Sequence, residues 1–378
     1  MIVKSTLSKK KPHIVIDARL YGPKHTGIGR YTKNLLVHLS KLTSFKNYNF
    51  TLLVYPELES EAKQDLGNQY NYFVTNIRHY SLQEQFLLPN IINRLQPTIT
   101  HFTHFNKPLF FRGKSVVTIH DLIKHFSRGK NTTTRHPIFY WIKYFAYLFL
   151  TKITIQTNHI IVPSNYWRQF ILDKYQINPQ KITTTYEALD PKFLTFKDNR
   201  YQPNPKNYLI YTGTLYPHKN IDVIIHALKH LPNIQLKIIS PKNAFTDKLL
   251  TQAKKYGVDH QVNFLGFLKD RQFPKIYNQA LCLVHPSLME GFSLTGLEAM
   301  ALNCPVISSN RSCLPEIYGN SVIYFDPTNP NDLVQKINLL KTTHLRHQLV
   351  HKGKNQIKNY SWLQTAKQTL NVYQKVLS

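Results

Sequence analysis

At 378 residues with 42% hydrophobic content, the chain is globular and long enough for two domains, each with its own core. Lys and Arg number 48 against 20 Asp and Glu, a formal net charge of +28. That charge favours an anionic partner, whether nucleic acid, an anionic membrane surface or a phosphorylated substrate. The basic residues are spread rather than gathered in one arm and no RNA- or DNA-binding motif is present, so a nucleic-acid partner is not expected.

The chain opens on a basic tail whose first residues, Met1-Ile2-Val3-Lys4, have no apolar core of signal-peptide length, so no export is expected. Residues 13–19 then read as a buried strand. Gly22 to Tyr31 form a glycine-containing turn into a helix that runs to about Leu39. Glycines such as Gly27 and Gly29 let a backbone approach a phosphate closely, which is the favoured reading over a tight turn with no ligand. Strand-like runs recur at 50–55, 72–74, 99–102, 116–119 and 160–162, separated by helix-like mixtures of polar and apolar residues. Such alternation predicts a mostly parallel sheet covered on both faces.

The run at 116–119 ends in His120-Asp121. In an open α/β sheet the carboxyl end of a strand is the active edge. His120 is therefore a candidate for chemistry, against the plainer reading that it caps the strand or pairs with Asp121. His101 and His104 lie at another strand end and are weaker candidates. Residues 139–150 are nearly all apolar and aromatic but too few to span a bilayer. A helix packed in the first domain is the favoured reading, and the basic residues before it (Lys124, His125, Arg128, Lys130 and Arg135) are kept as a membrane or acceptor surface. A helix follows Val162-Pro163-Ser164, and residues 183–191 close the first domain. Residues 197–207, polar and near three prolines, read as the linker.

The pattern restarts with a strand at 208–211, a loop from Gly213 to Asn220 and a helix at 221–231. Lys219 in that loop is a cation able to hold a phosphate group. More strands are expected at 234–239, 262–267, 280–284, 305–308 and 322–325. After residues 280–284 come His285-Pro286-Ser287, then Glu290, Gly291, Phe292 and Ser293, then a helix from Leu294 to Leu302 containing Thr295 and Glu298. This strand, loop and helix put a helix N-terminus at the sheet's carboxyl edge, a ready phosphate site, with two carboxylates able to hold hydroxyl groups. Three cysteines without metal-type spacing (Cys282, Cys304 and Cys313) argue against a disulfide framework or zinc site and fit a reducing cytoplasm.

Glu290 and Glu298, with His285-Pro286-Ser287, Gly291-Phe292 and Leu297-Glu298-Ala299-Met300 around them, resemble the paired-glutamate motif of the retaining glycosyltransferases of family 4. Gly27-Ile28-Gly29-Arg30-Tyr31 resembles that family's first loop, His120-Asp121 its central strand end, and Gly213 to Asn220 its diphosphate loop. The likeness runs over essentially the whole chain. It implies an α/β protein of B-type architecture, with two doubly wound Rossmann-like domains facing each other across a cleft. The acceptor-side domain would take residues 1–200, the nucleotide-sugar domain 201–360, and a C-terminal helix, 361–378, would cross back onto the first.

The resemblance further implies roles. Glu298 would accept ribose hydroxyls and Glu290 hydroxyls of the transferred sugar. The N–H groups of Gly291, Phe292, Ser293, Leu294 and Thr295, with Lys219 and the Gly213 loop, would hold the diphosphate. His120, Asp121 and the Gly27–Gly29 loop would meet the sugar from the other domain. No metal or other cofactor is expected. The partners are a nucleotide diphosphate sugar, a glycan or lipid-linked acceptor and an anionic membrane surface, which places the chain in the cytoplasm, peripheral on the inner face of the cell membrane. Members that build surface polysaccharides, often with mannose, look most similar. The departure is an arginine common in the diphosphate loop: Thr214 and His218 stand at its two usual positions, and His218 is left as a substitute donor. The competing readings are a nucleotide-sugar epimerase of the same architecture and a basic protein that binds RNA or membrane.

Overall fold

The computed structural model of the protein describes residues 11–129, 137–196 and 204–378. The first sheet is built from β1 (His13–Asp17), β2 (Asn49–Val54), β3 (Asn71–Val74), β4 (Ile99–Phe102), β5 (Ser115–Thr118), β6 (His159–Val162) and β7 (Ile182–Thr184). Its order is β3-β2-β1-β4-β5-β6-β7 and every pairing is parallel. The second contains β8 (Tyr208–Thr212), β9 (Gln235–Ile239), β10 (Val262–Phe264), β11 (Cys282–His285), β12 (Val306–Ser309) and β13 (Ile323–Phe325), also all parallel, in the order β10-β9-β8-β11-β12-β13. Strands such as Ile14-Val15-Ile16 are apolar without alternation because helices cover both faces, so every side chain is buried.

The first-half helices are α1 (Thr26–Leu39), α2 (Pro56–Leu66), α3 (Leu82–Arg94), α4 (Pro137–Ile155) and α5 (Asn165–Tyr175). The second-half helices are α6 (Asp222–Leu228), α7 (Thr246–Lys255), α8 (Phe273–Asn278), α9 (Leu294–Ala301), α10 (Leu314–Tyr318), α11 (Pro330–Leu339), α12 (Thr343–Gln356) and α13 (Trp362–Leu377). On one face of the first sheet α1 and α2 pack together with α13, whose Trp362, Leu370 and Tyr373 join the core of the opposite end of the chain. On the other face lie α3, α4 and α5, through Leu88, Ile92, Tyr144, Tyr147, Trp167 and Ile171. The second sheet has α6, α7 and α11 on one side and α8, α9 and α10 on the other. Two such parallel sheets with their loops facing one another are the B-type glycosyltransferase architecture.

Several expectations change in detail: the strand expected at 262–267 ends at Phe264 and the helix expected at 221–231 ends at Leu228. Gly27 and Gly29 do not lie in a free loop: α1 begins at Thr26 and both sit in its first turns. Gly29 is required by packing, since a Cβ there would lie 1.9 Å from the Gly22 carbonyl oxygen, whereas one at Gly27 would meet nothing within 4 Å. The strand expected at 280–284 begins at Cys282 and reaches His285. Helix α4 is packed on one side only, and its other, equally apolar side is exposed, so the packed-helix reading holds for half of its surface. Residues 197–203 of the expected linker, and Lys130 and Arg135 of the basic group, lie outside the described residues.

Candidate active site

The two sheets meet at their carboxyl edges around the segment between β11 and α9. Glu290 is 7% exposed there, and both its oxygens accept from Lys219 Nζ at 2.7 and 2.8 Å, while its Oε1 also lies 2.9 Å from His285 Nε2. Burial alone would raise the Glu290 carboxyl, but Lys219 and His285 outweigh it and hold the group well below the usual carboxylate range. The carboxylate is thus charged, and its Oε2 takes only the Lys219 contact, which leaves a lone pair for a hydroxyl donor.

Lys219 owes its position to a short turn. Asn220 takes φ +52°, a left-handed conformation that Asn tolerates, and its Nδ2 donates to the carbonyls of Pro286 and Pro327. The Leu288 N–H donates to the His218 carbonyl, so the Lys219 turn and the Glu290 loop form one surface. Gly213, at φ +140°, turns the chain out of β8 at the start of this loop. His218 does not replace the missing arginine in charge. Burial, aided by Lys219, lowers its pKa to about 4, so it is neutral near pH 7 and offers at most one neutral N–H.

Ser293 stands ahead of α9 at φ +80°, its hydroxyl turned to Tyr318 Oη and His285 rather than to the helix N–H groups. Tyr318 Oη also accepts the Gly296 N–H, and a Cβ on Gly296 would collide with its ring at 2.4 Å. The first N–H groups of a helix have no intrahelical partner, and this first turn carries no acid. Leu294 and Thr295 therefore present an electropositive helix end. Phe292 is buried against Tyr186 and Tyr360, so it contributes backbone and packing. Glu298, one turn along, accepts from Arg30 Nη1 of α1 at 2.6 Å.

The first domain grips this loop directly. Trp167 Nε1 donates to the Glu290 carbonyl at 2.8 Å and Ser164 Oγ to the Gly291 carbonyl at 3.1 Å. A Cβ on Gly291 would lie 2.6 Å from the His120 carbonyl oxygen, so glycine is what allows the two backbones to touch. The His120 ring is not paired with Asp121. Its Nδ1 faces Glu187 Oε1 at 3.1 Å and its Nε2 the Thr103 carbonyl at 3.0 Å, and Tyr31 packs edge-on at 4.6 Å. Both ring nitrogens are thus engaged by the protein, and the main-chain carbonyl is the part of His120 turned to Gly291. Asp121 accepts from the Ile123 N–H and shapes the turn. His101, held between Tyr373 and Thr118 and lowered by burial to about 3, is a neutral core residue.

The structure therefore gathers Lys219, His218, Glu290, Gly291, Ser293, Leu294, Thr295 and Glu298 on one side of the cleft and sets His120, Asp121 and α1's first turns opposite. Arg30, Glu187, Ser164, Trp167, His285 and Tyr318 were not singled out from sequence as site residues. Arg30 and His285 stand inside the quoted motifs, whereas nothing local marks the others.

Comparison with known proteins agrees with this geometry. Residues 25–193 match the model of Glycosyltransferase Family 4 and residues 195–356 that of Glycosyl transferases group 1. The chain is 29% identical over 227 residues to O-antigen chain mannosyltransferase B of Escherichia coli, a match covering 57% of this chain and 60% of the relative's length. Among solved structures, a sucrose-phosphate synthase from Thermosynechococcus elongatus superposes with a TM-score of 0.73 at 16% identity over 97% of this chain and 99% of that one. The Anabaena protein HepE in complex with UDP and glucose superposes with a TM-score of 0.68 at 14% identity, over 97% and 100%. The chain belongs to the family 4 glycosyltransferases, with the B-type fold.

Proposed function

We propose that the chain transfers a hexose, mannose favoured, from a nucleotide diphosphate sugar to a hydroxyl of a glycan or lipid-linked acceptor in surface polysaccharide synthesis, with the anomeric configuration retained. The observation that carries this reading is the Lys219–Glu290–His285 cluster beside the α9 N-terminus, facing the His120 backbone across the cleft. The mannosyltransferase name of the E. coli relative supports the choice of sugar, and the UDP and glucose of the HepE complex support a nucleotide sugar as donor.

In this reading the α9 N–H groups and Lys219 hold the diphosphate. Lys219 has three N–H donors, so it can keep Glu290 while reaching a phosphate oxygen, and its charge stabilises the leaving group as the glycosyl bond breaks. Glu290 accepts sugar hydroxyls, and Glu298 accepts ribose hydroxyls once Arg30 turns away. His120, its ring fixed by Glu187 and Thr103, meets the sugar from the first domain. The facing domains exclude water and align donor with acceptor. The leaving phosphate takes the acceptor proton, and neither a covalent enzyme intermediate nor a metal is part of the scheme. The chain works in the cytoplasm, at the inner face of the membrane where lipid-linked acceptors lie.

The test is a panel of nucleotide diphosphate hexoses incubated with lipid-linked glycan acceptors, read by product mass and anomeric NMR. A product heavier by one hexose with its configuration kept is expected. Conversion of donor sugar without an acceptor would instead mark an epimerase, and an inverted product would remove the retaining mechanism.

A further inference from the structure

Helix α4 carries an apolar surface that the transfer reaction does not use. Its sheet-facing side is fixed: Tyr144 and Tyr147 are buried in the first-domain core, and Thr151 and Ile155 continue that side. On its opposite side Ile138, Trp141, Ile142, Phe145 and Phe149 are between 43% and 64% exposed. These positions recur at helical spacing, so they form one stripe along the helix. Soluble surfaces rarely leave so many large apolar side chains together without a partner.

The charge around the stripe says what that partner is. Residues 122–172 hold seven Lys and Arg and no Asp or Glu. Lys143 and Lys152 are exposed on α4 itself. Exposed Lys124, Phe126 and Arg128 lie on the loop beside it, which is tied to α4 by the His125 Nδ1 to Tyr147 Oη contact at 2.7 Å and the Gly129 N–H to Tyr140 Oη bond at 3.0 Å. A second apolar pair, Phe86 stacked on Phe110 at 4.7 Å, is exposed on and beside α3, which covers the same sheet face. An apolar stripe beside which the charged residues described on α4 and on 122–129 are all cations fits the headgroup region of an anionic bilayer, where rings enter the acyl boundary and lysines meet phosphates.

The geometry points to α4, with the 124–128 loop, as an in-plane docking face for an anionic lipid bilayer. By length and composition residues 138–155 could cross a membrane, and 28% of them are buried. Crossing would pull Tyr144, Tyr147 and Ile155 out of the first-domain core and strip His125 of its Tyr147 partner, so the helix lies on the surface instead. The same loop begins at Asp121, next to the His120 carbonyl that meets Gly291, so the bilayer stands beside the first-domain edge of the cleft. This inference rests on the α4 surface and does not depend on the transfer reading.

Flotation of the full chain with vesicles of phosphatidylglycerol and phosphatidylcholine, against phosphatidylcholine alone, tests it. Of the three tryptophans, Trp167 and Trp362 are buried and Trp141 is exposed, so intrinsic fluorescence reports α4. Anionic vesicles are expected to bind the chain, shift its emission to the blue and place Trp141 within reach of brominated acyl chains. Lys143→Gln with Lys152→Gln should weaken binding about 25-fold, each cation near an anionic surface contributing about fivefold. Ile142→Ser with Phe145→Ser and Phe149→Ser should weaken it more than 100-fold, while circular dichroism and thermal stabilisation by guanosine or uridine diphosphate stay unchanged. Absence of binding to anionic vesicles, an unshifted Trp141 emission, or a dimer in solution that the serine variant dissolves would each overturn the proposal. So would protection of both ends of α4 from protease in vesicles, the mark of a spanning helix.

Discussion

Arg30 and Glu298 meet across the interdomain cleft at 2.6 Å, joining the first turns of α1 to α9. Glu298 is the carboxylate proposed to hold ribose, so a nucleotide competes with Arg30 for it. The pair is partly buried, and Glu298 raises the Arg30 pKa, so the contact ties α1 to α9 across the cleft and is less screened than a solvated surface bridge. In Arg30→Ala, small-angle scattering without nucleotide should show a larger radius of gyration, and calorimetric titration should give nucleoside diphosphate affinity up to about tenfold tighter, on the order of 1.4 kcal/mol. An unchanged radius together with weaker binding would contradict this role.

His218→Arg should restore a fixed cation beside the diphosphate. The present imidazole is neutral near pH 7 because burial lowers it to about 4. A charge-assisted bond contributes about 1.5–3 kcal/mol, so the donor KM should fall at least about tenfold with kcat unchanged or higher. Initial-rate kinetics over donor concentration measure it, and a raised KM would place the diphosphate elsewhere.

Acid should destabilise the chain in two windows. His79, His125, His159 and His218 are lowered to about 4 and His101 to about 3, chiefly by burial. The unfolded chain therefore binds these protons first, so their stabilisation is complete above pH ~6.5 and is lost as pH falls toward 4. Asp17 acts in the same sense in a lower window. Burial would raise it, but Arg19 outweighs that and lowers it to about 2, so its contribution is present above pH ~4 and is lost as pH falls through 2. Each histidine carries on the order of 1–3 kcal/mol. Scanning calorimetry should show Tm falling steadily from pH 7 to 4, and a flat Tm over that range would refute the account.

Arg19 is wholly buried at the end of β1, paired at 2.7 Å with both Asp17 and Glu84 and donating to the Ile77 carbonyl. Arg19→Ala leaves two buried carboxylates facing each other and should cost about 3–5 kcal/mol in urea unfolding. Asp17→Asn, Arg19→Met and Glu84→Gln together should recover most of that loss, because no uncompensated charge remains.

The parts of the site written in consecutive residues were legible in the sequence. The β11–α9 segment, Lys219 in its turn and the alternation of strand and helix all read correctly, since each is a local pattern. The cross-cleft contacts were not. Arg30 and Glu298 are 268 residues apart and Trp167 and Glu290 123, and only the docking of two sheets joins them; His120 and Glu187, 67 apart, are brought together within the first sheet by the β5-β6-β7 order. Helix α4 misled for a different reason. It is apolar on both sides, so its composition could not tell which side meets the sheet and which meets solvent.

Calorimetric titration of guanosine and uridine diphosphate into the wild type, Lys219→Ala and Glu298→Ala bears most directly on the proposed donor site. At least one nucleotide should bind the wild type, and each variant should bind it at least about tenfold more weakly with unchanged circular dichroism, since each loses a contact of about 1.5–3 kcal/mol. No binding by the wild type, or equal affinity in all three chains, would contradict the assignment of Lys219 and Glu298 to the donor.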